Sequence, residues 1–194
     1  MIAARIRRRL WRAVFTLNGG LETSGALPRG GCVVVANHCS HADAPSLLAA
    51  LDAAHQPTVA AAADYWFERP GKAWICRVFV AGFPVRRRGG GFADLSTHVD
   101  DLRAGRAVVV FPAGSRHAAD GRFHAGAFRL AQRAGVPIVP VWIAGTDTIL
   151  HGAPRISRSR VRIVIGEPLV VTDARTSAAR VQGLLSGPNL TTAA

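Results

Sequence analysis

A group of reactive side chains lies together near residue 40. Residues 37–43 read Asn-His-Cys-Ser-His-Ala-Asp, between an apolar run at 32–36 and an Ala/Leu-rich segment. His38 and Asp43 are one tight turn apart, so the carboxylate can orient the imidazole and stabilise it after it takes up a proton. The same stretch is also compatible with a metal site, a cysteine nucleophile or a capped helix start.

Two of these alternatives find little support in the stretch itself. His38 and His41 would supply two metal ligands, but no third follows in the loop, and zinc sites use three or four protein ligands. Cys39 is adjacent to His38, and adjacent side chains in a turn usually diverge, which disfavours a Cys–His nucleophile. We therefore predict no metal site, and a proton-transfer pair and a capped helix start remain.

The elements around this stretch predict an α/β fold. Apolar runs typical of strands alternate with segments of helical periodicity, which indicates a mainly parallel sheet flanked by helices on both faces. One predicted helix spans residues 92–104, and residues 160–165 are predicted as an edge strand with one wet face. Ligands in such sheets bind beyond the carboxyl ends of the strands. Polar clusters follow predicted strands at residues 38–43, 86–88 and 114–116.

The chain of 194 residues is long enough for one domain without a disulfide or a structural metal. We assign residues 1–17 to a basic amphipathic helix, residues 18–175 to the main domain, and residues 176–194 to a loose helix and a frayed tail. The first helix either lies in a membrane interface or packs on the core with its arginines in water, and the sequence leaves both open. Its apolar residues recur at helical spacing: Ile2, Ile6, Leu10, Trp11, Val14 and Phe15.

The positive charge of the chain indicates anionic partners. The formal net charge is +12, and Lys72 is the only lysine. Arginine binds phosphates and carboxylates through a planar fork of donors, which suits nucleic acid, anionic lipid headgroups, coenzyme A or an acidic carrier protein. No nucleic-acid-binding motif accompanies the charge. No apolar run reaches the roughly 20 residues that span a bilayer, and three cysteines without a paired framework indicate a reducing, cytosolic compartment.

Four segments resemble, in order, the signature blocks of one enzyme family. Residues 37–43 match the NHxxxxD signature of glycerophospholipid acyltransferases of the lysophosphatidic acid acyltransferase type. Order and approximate spacing agree from about residue 25 to residue 169, which is most of the chain. The second, third and fourth blocks of the family are matched, in that order, by residues 83–87, 111–116 and 136–141.

The resemblance implies a reaction and roles for individual residues. An acyl group would pass from acyl-CoA or acyl carrier protein to a hydroxyl of an acceptor such as 1-acylglycerol-3-phosphate, without a metal or redox cofactor. His38 would be the general base and Asp43 its orienting partner. Residues 18–175 would be an acyltransferase domain, peripheral on the cytoplasmic face of an anionic membrane. The implied substrate-binding residues are Arg87, Gly114, Ser115 and Arg116.

Two positions depart from the family pattern. Ala113 stands where the third block has glutamate, and Ala81 stands where the second block has glycine. The missing carboxylate puts the identity of the acceptor in question. Two alternative hypotheses follow: a thioesterase or lipid esterase that uses the same pair with water, and a catalytically weak lipid-binding protein.

Overall fold

The computed structural model describes residues 1–114, 123–147, 149 and 158–185. Among these residues, seven strands form one sheet. The strands are β1 (Leu21–Ser24), β2 (Cys32–Ala36), β3 (Thr58–Ala62), β4 (Gly82–Val85), β5 (Ala107–Val110), β6 (Ile138–Ala144) and β7 (Val161–Ile165). The helices are α1 (Ile2–Leu17), α2 (Asp43–Ala50), α3 (Ala63–Trp66), α4 (Pro70–Val80), α5 (Gly91–Ser96), α6 (Val99–Arg103), α7 (Gly126–Ala134) and α8 (Ala174–Leu185).

The sheet is mainly parallel, and its strand order is β1-β7-β6-β2-β5-β3-β4. Every neighbouring pair runs parallel except β6 and β7. The central strand β2 is buried along its whole length, and its β-branched valines suit a strand that is covered on both faces. Helices α1, α2 and α4 cover one face, and helices α5 to α8 cover the other. The predicted fold class is confirmed.

Two predicted elements differ from the structure. The prediction of an edge strand at 160–165 is wrong, because β1 pairs outside β7 and forms the edge itself. The helix predicted over 92–104 is divided into α5 and α6. At the division, the hydroxyls of Ser96 and Thr97 donate to main-chain carbonyls three residues back, which competes with helical hydrogen bonding.

Helix α1 packs on the core with only part of its apolar surface. Trp11 is half-buried and Phe15 is fully buried against the core. Ile2, Ile6 and Leu10 point away from the protein and are 75%, 61% and 41% exposed. The sequence placed all these residues on one face, whereas the structure separates them into an inner and an outer face. The outer face leaves an apolar stripe uncovered.

The C-terminal helix is packed, whereas the sequence predicted it as loose. Helix α8 begins at Ala174, so the predicted boundary between residues 175 and 176 falls inside it. Ala178, Val181 and Leu185 are buried in the core that α8 shares with α7. The predicted tail from residue 186 onward lies outside the described residues.

The junction between α4 and β4 explains why the second block prefers glycine. Ala81 ends α4 with a φ of 53°, in the left-handed region that favours glycine. The next residue, Gly82, is buried, and a Cβ there would overlap Sγ of Cys76. Ala81 is therefore strained, whereas Gly82 has no room for a side chain.

We expect Gly82→Ala to lower the free energy of unfolding by about 1–3 kcal/mol, because the added methyl group overpacks a buried site. Ala81→Gly should change it by less than about 1 kcal/mol, since relief of strain is offset by a more flexible unfolded chain. Urea denaturation of the two variants measures both effects. A larger loss for Ala81→Gly than for Gly82→Ala would contradict this account.

Candidate active site

Strand β2 brings residues 37–43 to the carboxyl end of the sheet. Immediately after β2, the side chain of Asn37 extends the pairing with β6. Its Nδ2 donates to the carbonyl oxygen of Ile143, and its Oδ1 accepts the N–H of the same residue, both at 2.8 Å. This double contact fixes the direction of the chain where the turn begins.

A buried aspartate organises the turn. Asp43 is 1% exposed and is the first residue of α2. Its Oδ2 lies 2.8 Å from Nδ1 of His38 and accepts the backbone N–H groups of Cys39 at 2.7 Å and Ser40 at 2.9 Å. Its Oδ1 accepts the hydroxyl of Thr146 at 2.5 Å. The carboxylate thus binds amides that precede the helix, and it does not cap the first turn of α2.

The surroundings of Asp43 favour its charged form. Burial alone would raise the pKa of this carboxyl, but the hydrogen bonds from His38, Ser40 and Thr146, with the charge of His38, outweigh burial and hold the pKa below its usual value. An ionised carboxylate only accepts hydrogen bonds, so Nδ1 of His38 carries the hydrogen. The lone pair of the neutral ring then lies on Nε2, which can take up a proton.

The imidazole of His38 lies against the ring of Phe111. The ring centroids are 4.2 Å apart and the planes are inclined by 23°. Phe111 directly follows β5, so the first residue of the third block positions the histidine of the first block. The side chain of His38 is 20% exposed, so the ring is held on one face and one edge and remains accessible to a substrate.

The other two reactive side chains of the turn have different surroundings. Burial, and then the charge of Asp43, raise the pKa of the Cys39 thiol, so this residue lacks the thiolate character of a nucleophile. The ring of His41 stacks on Tyr65 with centroids 5.5 Å apart, and the Tyr65 hydroxyl lies 3.4 Å from its Nε2. Within the described part of the chain, no group of three or more His, Cys, Asp or Glu could hold a metal ion.

A cationic cavity of about 960 Å³ is lined in part by Phe111. It lies at the carboxyl ends of β3, β4 and β5 and reaches α5, α7 and α8. Phe111 is a lining residue of the cavity and also stacks on His38, which is not a lining residue. Among the described residues, the charged and titratable lining residues are Arg86, Arg87, Arg88, Arg129, Arg175, Asp64 and His124.

The structure describes two of the four predicted substrate-binding residues. Arg87 lines the cavity, and its guanidinium donates from Nε and a terminal nitrogen to the carboxylate of Asp64, at 2.9 and 2.6 Å. Gly114 also lines the cavity and turns the chain after β5 with a φ of 70°. Ser115 and Arg116 lie outside the described residues.

Three residues of the site escaped the sequence analysis. Thr146 is 103 positions from Asp43 in the chain, and its place just beyond the end of β6 was the only available signal. Phe111 belongs to a recognised block, but its contact with the histidine has no local pattern. Asp64 lies on the short helix α3, and nothing in its neighbourhood indicated a partner for Arg87.

We expect Asp43→Asn to lower the free energy of unfolding by about 2 kcal/mol at neutral pH, because its hydrogen bonds lose their charge. The pKa of Asp43 is lower in the folded protein than in the unfolded chain, so its stabilisation is complete above about pH 4 and is lost as the pH falls through the folded value. Urea denaturation at several pH values should show the gap between wild type and variant closing in acid.

The matched control is Asp100→Asn, which alters a carboxylate that is 96% exposed. Its effect on the free energy of unfolding should be small at every pH. A gap for Asp43→Asn that stays constant from neutral to acid pH would contradict the assignment of a lowered pKa.

Comparison with known proteins shows the family of this chain. The family model described as Acyltransferase matches residues 20–144. A 1-acyl-sn-glycerol-3-phosphate acyltransferase of Bacillus subtilis is 31% identical over 94 residues, which are 48% of this chain and 46% of that protein. A probable enzyme of the same name from Mycoplasma pneumoniae is 31% identical over 143 residues, which are 70% of this chain and 52% of that protein. The chain spans about half the length of these curated relatives.

A solved structure has a similar fold. It is the crystal structure of the 1-acyl-sn-glycerophosphate (LPA) acyltransferase PlsC from Thermotoga maritima, with a TM-score of 0.71. The match covers 94% of this chain and 77% of that one at 22% identity, so the likeness concerns the fold. The family match covers well over half of the chain and contains all four blocks. This protein therefore belongs to the Acyltransferase family, as the four blocks indicated.

Proposed function

We propose that this protein transfers a fatty acyl group from an acyl thioester to a hydroxyl of a lysophospholipid-like acceptor such as 1-acylglycerol-3-phosphate. One observation carries the proposal: His38, held by the buried Asp43, lies against Phe111, which also lines a cavity with five arginines. A proton acceptor beside a cationic cavity suits a substrate that has both a hydroxyl and a phosphate. The names of the relatives support this acceptor.

His38 acts as the general base in this proposal. Its Nε2 takes the hydroxyl proton while the hydroxyl oxygen attacks the thioester carbonyl carbon. When the tetrahedral intermediate collapses, the C–S bond breaks, the sulfur leaves with the electron pair, and the imidazolium returns the proton to it. The products are an ester and a free thiol. Nothing is oxidised or reduced, so the proposed step needs no redox cofactor. The proposal assigns no step to a metal, and acyl-CoA or acyl carrier protein is the co-substrate.

The arginines of the second and third blocks bind the acceptor's phosphate in this proposal. Arg87 already presents its planar fork to a carboxylate, Asp64, and a phosphate offers the same acceptor geometry with more charge. Gly114 lines the same cavity. We assign Ser115 and Arg116 to the same phosphate on the resemblance of the third block.

We expect His38→Ala to lower the rate of acyl transfer by at least about 100-fold, because general-base catalysis typically contributes that much. The assay is thiol release from palmitoyl-CoA with and without 1-acylglycerol-3-phosphate. Cys39→Ser is the matched control, since it changes the adjacent residue and should retain activity. Release that ignores the acceptor would replace the transferase with a thioesterase, and full activity of the His38 variant would refute the proposed base.

We also propose that the protein works at an anionic membrane surface, on its cytoplasmic face. Helix α4 exposes Trp74, Ile75 and Val78, which are 58%, 46% and 42% accessible. It lies beside α1, because Nε of Arg7 donates to the carbonyl oxygen of Val78 at 2.9 Å. The apolar residues on the outer sides of α1 and α4, with the arginines of α1, suit an interfacial position. None of the described helices is long and apolar enough to cross a membrane.

We expect the double substitution Ile6→Ser with Leu10→Ser to reduce binding to vesicles of phosphatidylglycerol and phosphatidylcholine by about tenfold, because two exposed aliphatic side chains leave the interface. Vesicle flotation measures bound protein. Val170→Ser is the control, since Val170 is 84% exposed but lies outside α1 and α4. Equal losses for the double variant and the control would argue against this surface.

A further inference from the structure

We propose that Arg129 and Arg175 form a second phosphate-binding subsite in the cavity, so that the substrates of this enzyme carry phosphate in two places. This inference rests on the proposed function, because it adds a feature to the same substrates. Arg129 lies on α7 and Arg175 lies at the start of α8, whereas Arg87 follows β4. All three line one cavity from different elements, and no family block contains the two helical arginines.

The two helical arginines differ from the motif arginine in their partners. Arg87 pairs with Asp64 through three hydrogen bonds, so its guanidinium already has an anionic partner that a phosphate would have to replace or share. Within the described part of the chain, neither Arg129 nor Arg175 forms an ion pair of this kind. Asp173 interacts with Arg175, but its carboxylate accepts the backbone N–H of Thr176 at 2.7 Å. Asp173 therefore caps the first turn of α8. As far as the described residues show, the positive charge that these two helices bring to the cavity is available to a ligand.

Ala113 keeps negative charge out of the same cavity. It lines the cavity at the position where the family pattern has glutamate. A carboxylate there would neutralise an arginine or repel an arriving phosphate. With alanine, the described part of the lining contains five arginines and one acidic residue, Asp64. The departure that put the acceptor in question thus leaves the cavity more favourable to a second anion.

The cavity is also large enough for more than one anionic group. Its volume of about 960 Å³ lies at the upper end of small-molecule sites, which occupy roughly 300–1,000 Å³. Two substrates can supply the second phosphate group. One is the donor, through the nucleotide of its coenzyme A, and the other is an acceptor whose headgroup bears a second phosphate.

The test compares two double variants that remove equal charge. Arg129→Gln with Arg175→Gln alters the subsite, and Arg133→Gln with Arg180→Gln alters exposed arginines on the same helices outside the cavity lining. The KM is measured for two donors, palmitoyl-CoA and palmitoyl-pantetheine, which lacks the nucleotide. It is also measured for two acceptors, 1-acylglycerol-3-phosphate and lysophosphatidylglycerol phosphate, which carries the second phosphate.

We expect the subsite variant to raise the KM of one substrate by about tenfold or more, because two charge-assisted contacts are lost. A rise for palmitoyl-CoA but not for palmitoyl-pantetheine would assign the subsite to the donor. A rise for lysophosphatidylglycerol phosphate but not for 1-acylglycerol-3-phosphate would assign it to the acceptor. Ala113→Glu should raise the KM of the same substrate. If the subsite and control variants change all four KM values alike, or leave them within about twofold of wild type, the proposal is overturned.

Failure of the transferase proposal remains distinguishable from failure of the subsite. If wild-type protein shows no acceptor-dependent thiol release with any pair, the proposed function fails. Calorimetric Kd values for coenzyme A and for lysophosphatidylglycerol phosphate then decide the subsite. A Kd weakened about tenfold in the subsite variant, with the control unchanged, supports it, and equal Kd values in both variants refute it.

Discussion

The buried carboxylate of Asp43 is the group on which the arrangement of the site depends. Removing a charge from water costs several kcal/mol unless hydrogen bonds replace the solvent. Asp43 receives such bonds on both oxygens, from His38 and two amides of the turn on one, and from Thr146 on the other. These donors come from the end of β2 and from the segment after β6. The histidine is therefore oriented only when β2 and β6 are paired and α2 has begun.

Phe111 links the pair at His38 to two parts of the protein. It packs partly on the core that α1, α2 and α4 cover, and it also lines the cationic cavity. Helices α1 and α4 expose aliphatic and aromatic side chains together with the arginines of α1, and the cavity is lined by arginines. Under the proposed function, a substrate with an apolar chain and an anionic headgroup meets both kinds of surface.

The arginines beside β4 are held in position by carboxylates. Arg86 pairs with Asp94 at 2.8 Å and Arg87 pairs with Asp64 at 2.6 Å. Because these pairs are largely exposed, they add little to stability, typically about 0–1 kcal/mol each. Their consequence is orientation, since each guanidinium is already turned to receive a planar anionic group. Arg129, on the helical side of the cavity, lacks such a pair among the described residues.

Short-range spacing was enough to predict the core of the fold and the central pair of the site. The buried strand at 32–36 follows from its β-branched composition, and the approach of His38 to Asp43 follows from a single turn that both residues share. Contacts between distant segments have no such local pattern. The edge position of β1, the stacking of Phe111 on the histidine and the hydroxyl of Thr146 on the aspartate were decided by tertiary structure alone. The physical reason is that each depends on which strands lie side by side, and strand order is a property of the whole packed sheet.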